Sequence, residues 1–237
     1  MQTDNLHYGI IGNGASGALV SKDACIEWMC LPHFASPSIF AKILDKKAGH
    51  LGVLPATPSV THQFYLEYTN ILKTVFESPE GSFEVLDFMP RYQKENGSYY
   101  YPPELTRIIK PLSGTPKIAI DYNPALEYAK GKTETHIKGS HLISILEDGI
   151  HYDTLFFYSN IAYDQVVGRT IFSLDETVFI TISYNEKLEL PSLEKAWFDF
   201  DLTKAYWLTW VQRTKSYPLY TREIERSALV LKLLSYD

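Results

Sequence analysis

The stretch YGIIGNGASGALV, residues 8–20, decides between two folds. Its Gly12, Gly14 and Gly17 have the spacing G-x-G-x-x-G, which in a dinucleotide-binding unit closes a strand and opens a helix whose N-terminal amides hold a pyrophosphate. The following residues do not read as that helix. In ALVSKDACIEWMCL, Val20, Cys25, Ile26, Trp28 and Cys30 surround a polar SKD, a pattern of two strands and a turn rather than a 3.6-residue stripe. The acidic residue that should meet a ribose about 20 positions on is also missing, because that window reads LPHFASPS. The glycines are read as tight-turn residues between short strands, and no cofactor is expected.

The same texture extends to about residue 190. QFYLEYTNILKTVFES, GSFEVLDFMP, PKIAIDYNP, THIKGSHLISILEDG and TVFITISYN place apolar residues close to every second position, between Gly, Pro, Asn and Asp. Such short strands and turns predict an antiparallel sandwich rather than alternating βα units. The composition agrees: 17 Tyr and 12 Phe among 237 residues lean toward sheet. A body of this length hides roughly 70–75% of its unfolded surface, so a large core is available.

Charge excludes some partners. A net charge of −6 offers no attraction to nucleic acid or anionic lipid. The start MQTDNLHYG lacks a basic and then apolar leader, and no apolar run reaches bilayer-crossing length, so a cytoplasmic location away from membranes is expected. Without secretion, the glycosylation-like NGS at 96–98 carries no weight. Cys25 and Cys30, five apart on one expected strand, point to opposite faces and are expected to be free buried thiols. The seven histidines are scattered, so no metal site is expected.

The pattern changes after LELP. Trp197, Leu202, Tyr206, Trp210 and Val211 recur mostly every four or five residues and predict a linker helix near 201–215. A second helix is expected from about 221, with Ile224, Ala228, Leu229, Val230, Leu231, Leu233 and Leu234 apolar nearly all round. Such a helix belongs inside a helical body, so the polypeptide is expected to be the N-terminal piece of a longer protein. The expected division is a sandwich over 1–192, then the linker helix and the start of a helical domain over 193–237.

Four segments in order, IGNGASGALVSKDACIEWMCLPHFASPSIFAKILD, YTNILKTVFESPEGSFEVLDFMP, ELTRIIKPLSG and ERSALVLKLLSYD, resemble the front of bacterial and archaeal glucoamylase-like proteins and trehalases of glycoside hydrolase family 15. The resemblance spans essentially the whole chain. It implies a mainly β fold, a large antiparallel β-sandwich (supersandwich), followed by a linker helix and the first helix of a catalytic (α/α)6 barrel. It also places Gly12 and Gly14 in the family's first hairpin region, where IGDG is more usual than the IGNG seen here. The implied chemistry is inverting hydrolysis of an α-glucosidic bond, with two barrel glutamates roughly 6.5–9.5 Å apart. Both are implied to lie beyond this chain, so no catalytic residue is assigned within it.

Interdomain or pocket-rim candidates come from CLPHFASPSIF, residues 30–40, where prolines stiffen a connection around a polar centre: Pro32, His33, Phe34, Ser36 and Pro37. The resemblance implies that this stretch lies toward the barrel; its relatives tend to read LPRFDSPSVF, so His33 and Ala35 replace a charged pair. Arg107 in ELTRIIK is the sixth candidate, expected to alternate out of an apolar strand and to be paired. Asp87, Glu127, Asp148, Asp164 and Asp175 sit at strand ends or turns and are expected to be solvated. YYYPP at 99–103 is read as loop packing before sugar platform, and Trp197, Tyr206, Trp207 and Trp210 as anchors of the linker helix.

The resulting expectation is a non-catalytic sandwich that packs on its own C-terminal (α/α)6 domain and meets an α-glucoside through it. An autonomous carbohydrate-binding module and a purely structural element, which could form a homo-oligomer, are the alternatives.

Overall fold

The structure is a computed structural model that describes residues 7–146, 153–189, 191–214 and 219–235. The strands are β1 (Tyr8–Gly12), β2 (Gly17–Ser21), β3 (Ile26–Cys30), β4 (Ser38–Phe40), β5 (His50–Pro55), β6 (Val60–Tyr65), β7 (Leu72–Ser78), β8 (Gly81–Phe88) and β9 (Tyr92–Gln93). They continue with β10 (Tyr99–Tyr100), β11 (Glu104–Gly114), β12 (Lys117–Asn123), β13 (Thr133–Lys138), β14 (His141–Leu146), β15 (Thr154–Ser159), β16 (Phe172–Ser173) and β17 (Val178–Tyr184). The short segments α1 (Leu126–Ala129) and α2 (Tyr163–Val167) interrupt them, and α3 (Leu193–Gln212) and α4 (Thr221–Leu234) follow.

β1 and β2 form an antiparallel hairpin with Gly12 opposite Gly17, so the glycine run joins two strands and opens no helix. The turn is closed by Asn13, whose side-chain oxygen accepts from the N–H groups of Ala15 and Ser16, both at 3.2 Å. Gly14 has φ +87°, a left-handed conformation in which a side chain is strained. A Cβ on Gly12 would lie 2.6 Å from the Ser16 carbonyl, and one on Gly17 would lie 2.9 Å from that of Ile11.

A seven-stranded sheet in the order β1-β2-β3-β5-β12-β16, with β4 on β3, faces an eight-stranded sheet in the order β13-β14-β15-β17-β11-β8-β7-β6. Their strand pairs are antiparallel. Between them lies the main core, with Ile11, Val20, Ile26 and Leu51 from one sheet and Val85, Leu105, Ile109, Ile180 and Ile182 from the other. The eight-stranded sheet is covered on its outer face as well. Leu86, Phe88, Ile108 and Phe179 pack there under Ala196 and Phe200 of α3. Two buried faces explain why β17 is buried at every position, although Thr181 and Ser183 alternate with Ile180 and Ile182.

α3 starts at Leu193, eight residues before the start expected from sequence. Ser192 caps it by accepting the N–H of Lys195 at 3.2 Å, and the buried stripe Ala196, Asp199, Phe200, Thr203, Trp207, Val211 runs its length. In the early turns the polar Asp199 occupies a buried position, which interrupts the apolar spacing there. The cysteines also differ in detail. Cys25 precedes β3 and Cys30 ends it, and both are free and buried. Among the described residues, no helix is long and apolar enough to cross a membrane.

Candidate functional site

The loop 31–37 meets α3 and α4 at one end of the sandwich. Phe34 packs against the cluster of Trp207 and Val211 of α3 with Leu229 and Leu233 of α4, as does Ile10 of β1. The Phe34 N–H donates to the Ala15 carbonyl at 3.0 Å, fixing the loop to the β1–β2 turn. The His33 N–H donates to Ser36 Oγ at 3.1 Å and the Ser36 N–H to the His33 carbonyl at 3.0 Å. Pro32, Ser36 and Pro37 are half-buried around this turn and His33 is exposed. Five of the six sequence candidates thus share one loop at the sandwich–helix junction, and Phe34 carries its ring into the helix contact.

Arg107 lies elsewhere. On β11 it shares the inner face with Leu105 and Ile109, fully buried, so it neither alternates outward nor reaches an interdomain rim. Its Nε and Nη2 donate to Asp87 Oδ1 and Oδ2 at 2.6 and 3.1 Å, and Nη2 also donates to the Ala24 carbonyl at 2.7 Å. Asp87 stands directly opposite it on β8 and is also fully buried, which corrects the reading of a solvated turn residue. Removing one member of such a pair strands the other charge and costs about 3–5 kcal/mol. The pair holds the two sheets together and is not available for chemistry. Asp164 and Asp175 are exposed, Glu127 is half-buried, and Asp148 lies outside the described residues.

Arg91, not singled out in the sequence, is the hub of the junction. Its backbone N–H donates to Thr203 Oγ1 at 3.2 Å, its Nε to the Tyr206 hydroxyl at 2.8 Å, and its guanidinium to the Asn13 carbonyl. The guanidinium carbon lies 5.5, 5.5 and 5.1 Å from the ring centroids of Tyr99, Tyr101 and Tyr206. Two tyrosines of YYYPP, Tyr99 and Tyr101, therefore serve packing around a cation. They border a cleft of about 760 Å³ that Trp210, Arg213 and Lys232 also line. Local patterning offers no signal for Arg91, because Asn13 and Tyr206 lie 78 and 115 residues away in sequence.

α4 is clamped to the same end. Asn70 Nδ2 donates to the Leu229 carbonyl at 3.0 Å, and Arg226 donates to the Thr69 carbonyl at 2.7 Å and to the Asn70 side-chain oxygen. The Arg226 guanidinium stacks 4.0 Å from the Tyr65 ring centroid. Leu229 and Leu233 face inward, while Leu231 stays 70% exposed and Leu234 45%.

Residues 5–146 match the trehalase-like, N-terminal family. The chain belongs to this family. This trehalase-like N-terminal domain is similar to the trehalase of Thermoplasma acidophilum, 31% identical over 227 residues, covering 92% of this chain and 38% of that protein. It is 29% identical to the trehalase of Thermoplasma volcanium over 238 residues, covering 98% of this chain and 37% of that protein. It is 25% identical to the trehalase of Mycolicibacterium smegmatis over 253 residues, covering 97% and 38%. The chain therefore spans about two fifths of the length of these relatives.

The trehalase-like N-terminal domain holds one further group of ionisable side chains, missed in the sequence because it forms across elements. Asp199 of α3 is buried with both oxygens 2.5 Å from Lys195 Nζ, and the Tyr92 hydroxyl donates to its Oδ1 at 3.0 Å. Glu104 of β11 is buried nearby; desolvation first, then Asp199, pushes its carboxyl up to about 7. A raised acid beside a second carboxylate has the outline of an acid–base pair. Asp199, however, already has both oxygens in contact with Lys195, and Oδ1 also with Tyr92. Among the described residues, no group of three or more His, Cys, Asp or Glu is placed to hold a metal ion. The Cys25 thiol is pushed up to about 11 by burial, against the pull of Lys42, and is unreactive at neutral pH.

Proposed function

We propose that this trehalase-like N-terminal domain is the non-catalytic front part of a longer hydrolase that cleaves an α-glucosidic bond with inversion, of the glucoamylase- and trehalase-containing glycoside hydrolase family 15. The observation that carries this reading is similarity to proteins named trehalases over at least 92% of the chain. Its partner is its own C-terminal (α/α)6 domain, which supplies the two catalytic glutamates, and it meets the α-glucoside through that domain. The division falls at residues 192 and 193.

The chain's own residues hold the junction. Phe34 and Trp207 seat the two helices on the β1–β2 hairpin, Arg91 ties α3 to the turn that carries Asn13, and Arg226 ties α4 to the Thr69–Asn70 turn. The outward Leu231 and Leu234 of α4 are the surface offered to the barrel. The buried free thiols fit a reducing, cytoplasmic location.

The test assays the full-length protein with trehalose and maltotriose side by side, and the 237-residue chain in parallel. Hydrolysis by the full-length protein and none by the chain is the expected result. Glucose release by the purified chain itself would overturn the reading.

A further inference from the structure

The polar pocket between α3 and the outer face of the eight-stranded sheet has no role in the hydrolase reading. Strand parity builds it: Glu104 shares the outer face of β11 with Thr106 and Ile108, and Thr181 shares that of β17 with Phe179 and Ser183. Glu104 stands opposite Ser183 and Thr106 opposite Thr181, so Glu104 and Thr181 are diagonal neighbours about 7–8 Å apart. With Tyr100, Lys195 and Asp199 they line a pocket of about 330 Å³, whose apolar wall includes Leu188 and Ala196. That volume suits a small ligand.

The hydrogen-bond inventory is uneven. Asp199 is engaged by Lys195 and Tyr92, and the Ser183 hydroxyl donates to the Glu186 carbonyl at 2.8 Å. By contrast, the Glu104 carboxyl and the Thr181 and Tyr100 hydroxyls make no hydrogen bond to protein among the described residues, although Glu104 is only 3% exposed. These three groups are open to the pocket rather than sealed within the protein, so a ligand that enters it can pair with all of them.

We infer that this pocket binds a small neutral polyhydroxylated molecule of monosaccharide size, which donates hydroxyls to the Glu104 carboxyl and exchanges hydrogen bonds with the Thr181 and Tyr100 hydroxyls. Charge selects the class. An anion meets Glu104, Glu189 and Asp199 against the single cation Lys195. A cation finds its place taken, because Lys195 Nζ already contacts Asp199 and lies 5.5 Å from the Tyr100 ring centroid. A hydroxyl-rich neutral molecule satisfies acceptor and donors without adding charge. The inference does not rest on hydrolysis, since the pocket lies wholly within this chain.

The test is an NMR titration of the chain at pH 8, where Glu104 is mostly ionised, with glucose as probe and glucose 6-phosphate and choline as charged controls. Saturable shifts at Thr181 and Ala196 in the millimolar range are expected with glucose and not with either control. Glu104→Gln and Thr181→Val should each weaken glucose binding at least fivefold. Thr181→Val keeps the side-chain shape, so it decides the matter if Glu104→Gln does not fold. No saturable shift at tens of millimolar glucose, binding untouched by both variants, or equal binding of a charged control would overturn the inference. Hydrolysis assays are not part of the readout, so this outcome and that of the hydrolase reading are separable.

Discussion

Burial beneath α3 pushes the Glu104 carboxyl from its ordinary 4.5 up to about 7, and the neighbouring Asp199 adds to the shift. The folded state therefore holds a proton that the unfolded chain releases. Stability is fully present below pH 4.5, declines as pH rises, and is lost by an amount on the order of 3 kcal/mol once pH passes about 7. Replacing Glu104 with Gln removes the charge that must be desolvated. Urea denaturation of Glu104→Gln should show stability near that of the parent at pH 4.5 and above it at pH 8; equal pH dependence in the two proteins would sink the assignment. Arg107 shows the opposite solution for a buried charge, since it faces a carboxylate on the neighbouring strand and the Ala24 carbonyl rather than solvent. The sequence ELTRIIK does not distinguish these fates. Its Leu105, Thr106, Ile108 and Ile109 offer apolar neighbours on both faces, and only the covering of the outer face by α3 shows that both faces are buried from Glu104 to Ile109.

At the scale of elements, α4 is attached to the sandwich by one narrow stripe and a polar clamp. Leu229 and Leu233 supply its buried contacts, and Leu233 lies so close to β1 that a Cβ on Gly12 would sit 2.8 Å from its Cδ2. Leu233→Ala should cost about 2–5 kcal/mol of local stability. Hydrogen exchange should report that loss in the amides of α4 and spare those of β11 and β17; equal acceleration throughout would mean that α4 does not open separately. The apolar character of α4 was legible as a run of residues apolar nearly all round the helix. Its docking was not, because Asn70 and Arg226 form their contact across 156 residues. The glycine run behaves likewise: its failure to open a helix follows from the next fourteen residues, whereas the crowding around Gly12 by Leu233 and around Gly17 by Phe34 is tertiary.

At the scale of the whole molecule, α3 belongs to two packing groups. Its first half shares a core with the eight-stranded sheet and its second half with α4, β1 and the Phe34 loop. Arg91 joins them, because its backbone meets Thr203 and its side chain meets Tyr206 and Asn13. Sheet and helix should then unfold together. In Trp28→Phe the remaining tryptophans, Trp197, Trp207 and Trp210, all report from α3. Their fluorescence transition in urea should coincide with the far-ultraviolet circular dichroism transition of the strands. A fluorescence change at distinctly lower urea would instead show helices that detach from a sandwich stable alone.

The sequence by itself determined the fold class, because alternation of apolar residues, turn residues and the switch to helical spacing after residue 190 are local properties that each strand or helix writes in its own few residues. It also determined that Gly12, Gly14 and Gly17 open no nucleotide site. Only the tertiary structure decided which polar residues are buried and with whom: Arg107 with Asp87, Arg91 within three tyrosines, and Glu104 without a protein partner beneath α3. The reason is that desolvation and pairing depend on what covers a strand from across the fold, and the covering elements lie tens to more than a hundred residues away in sequence.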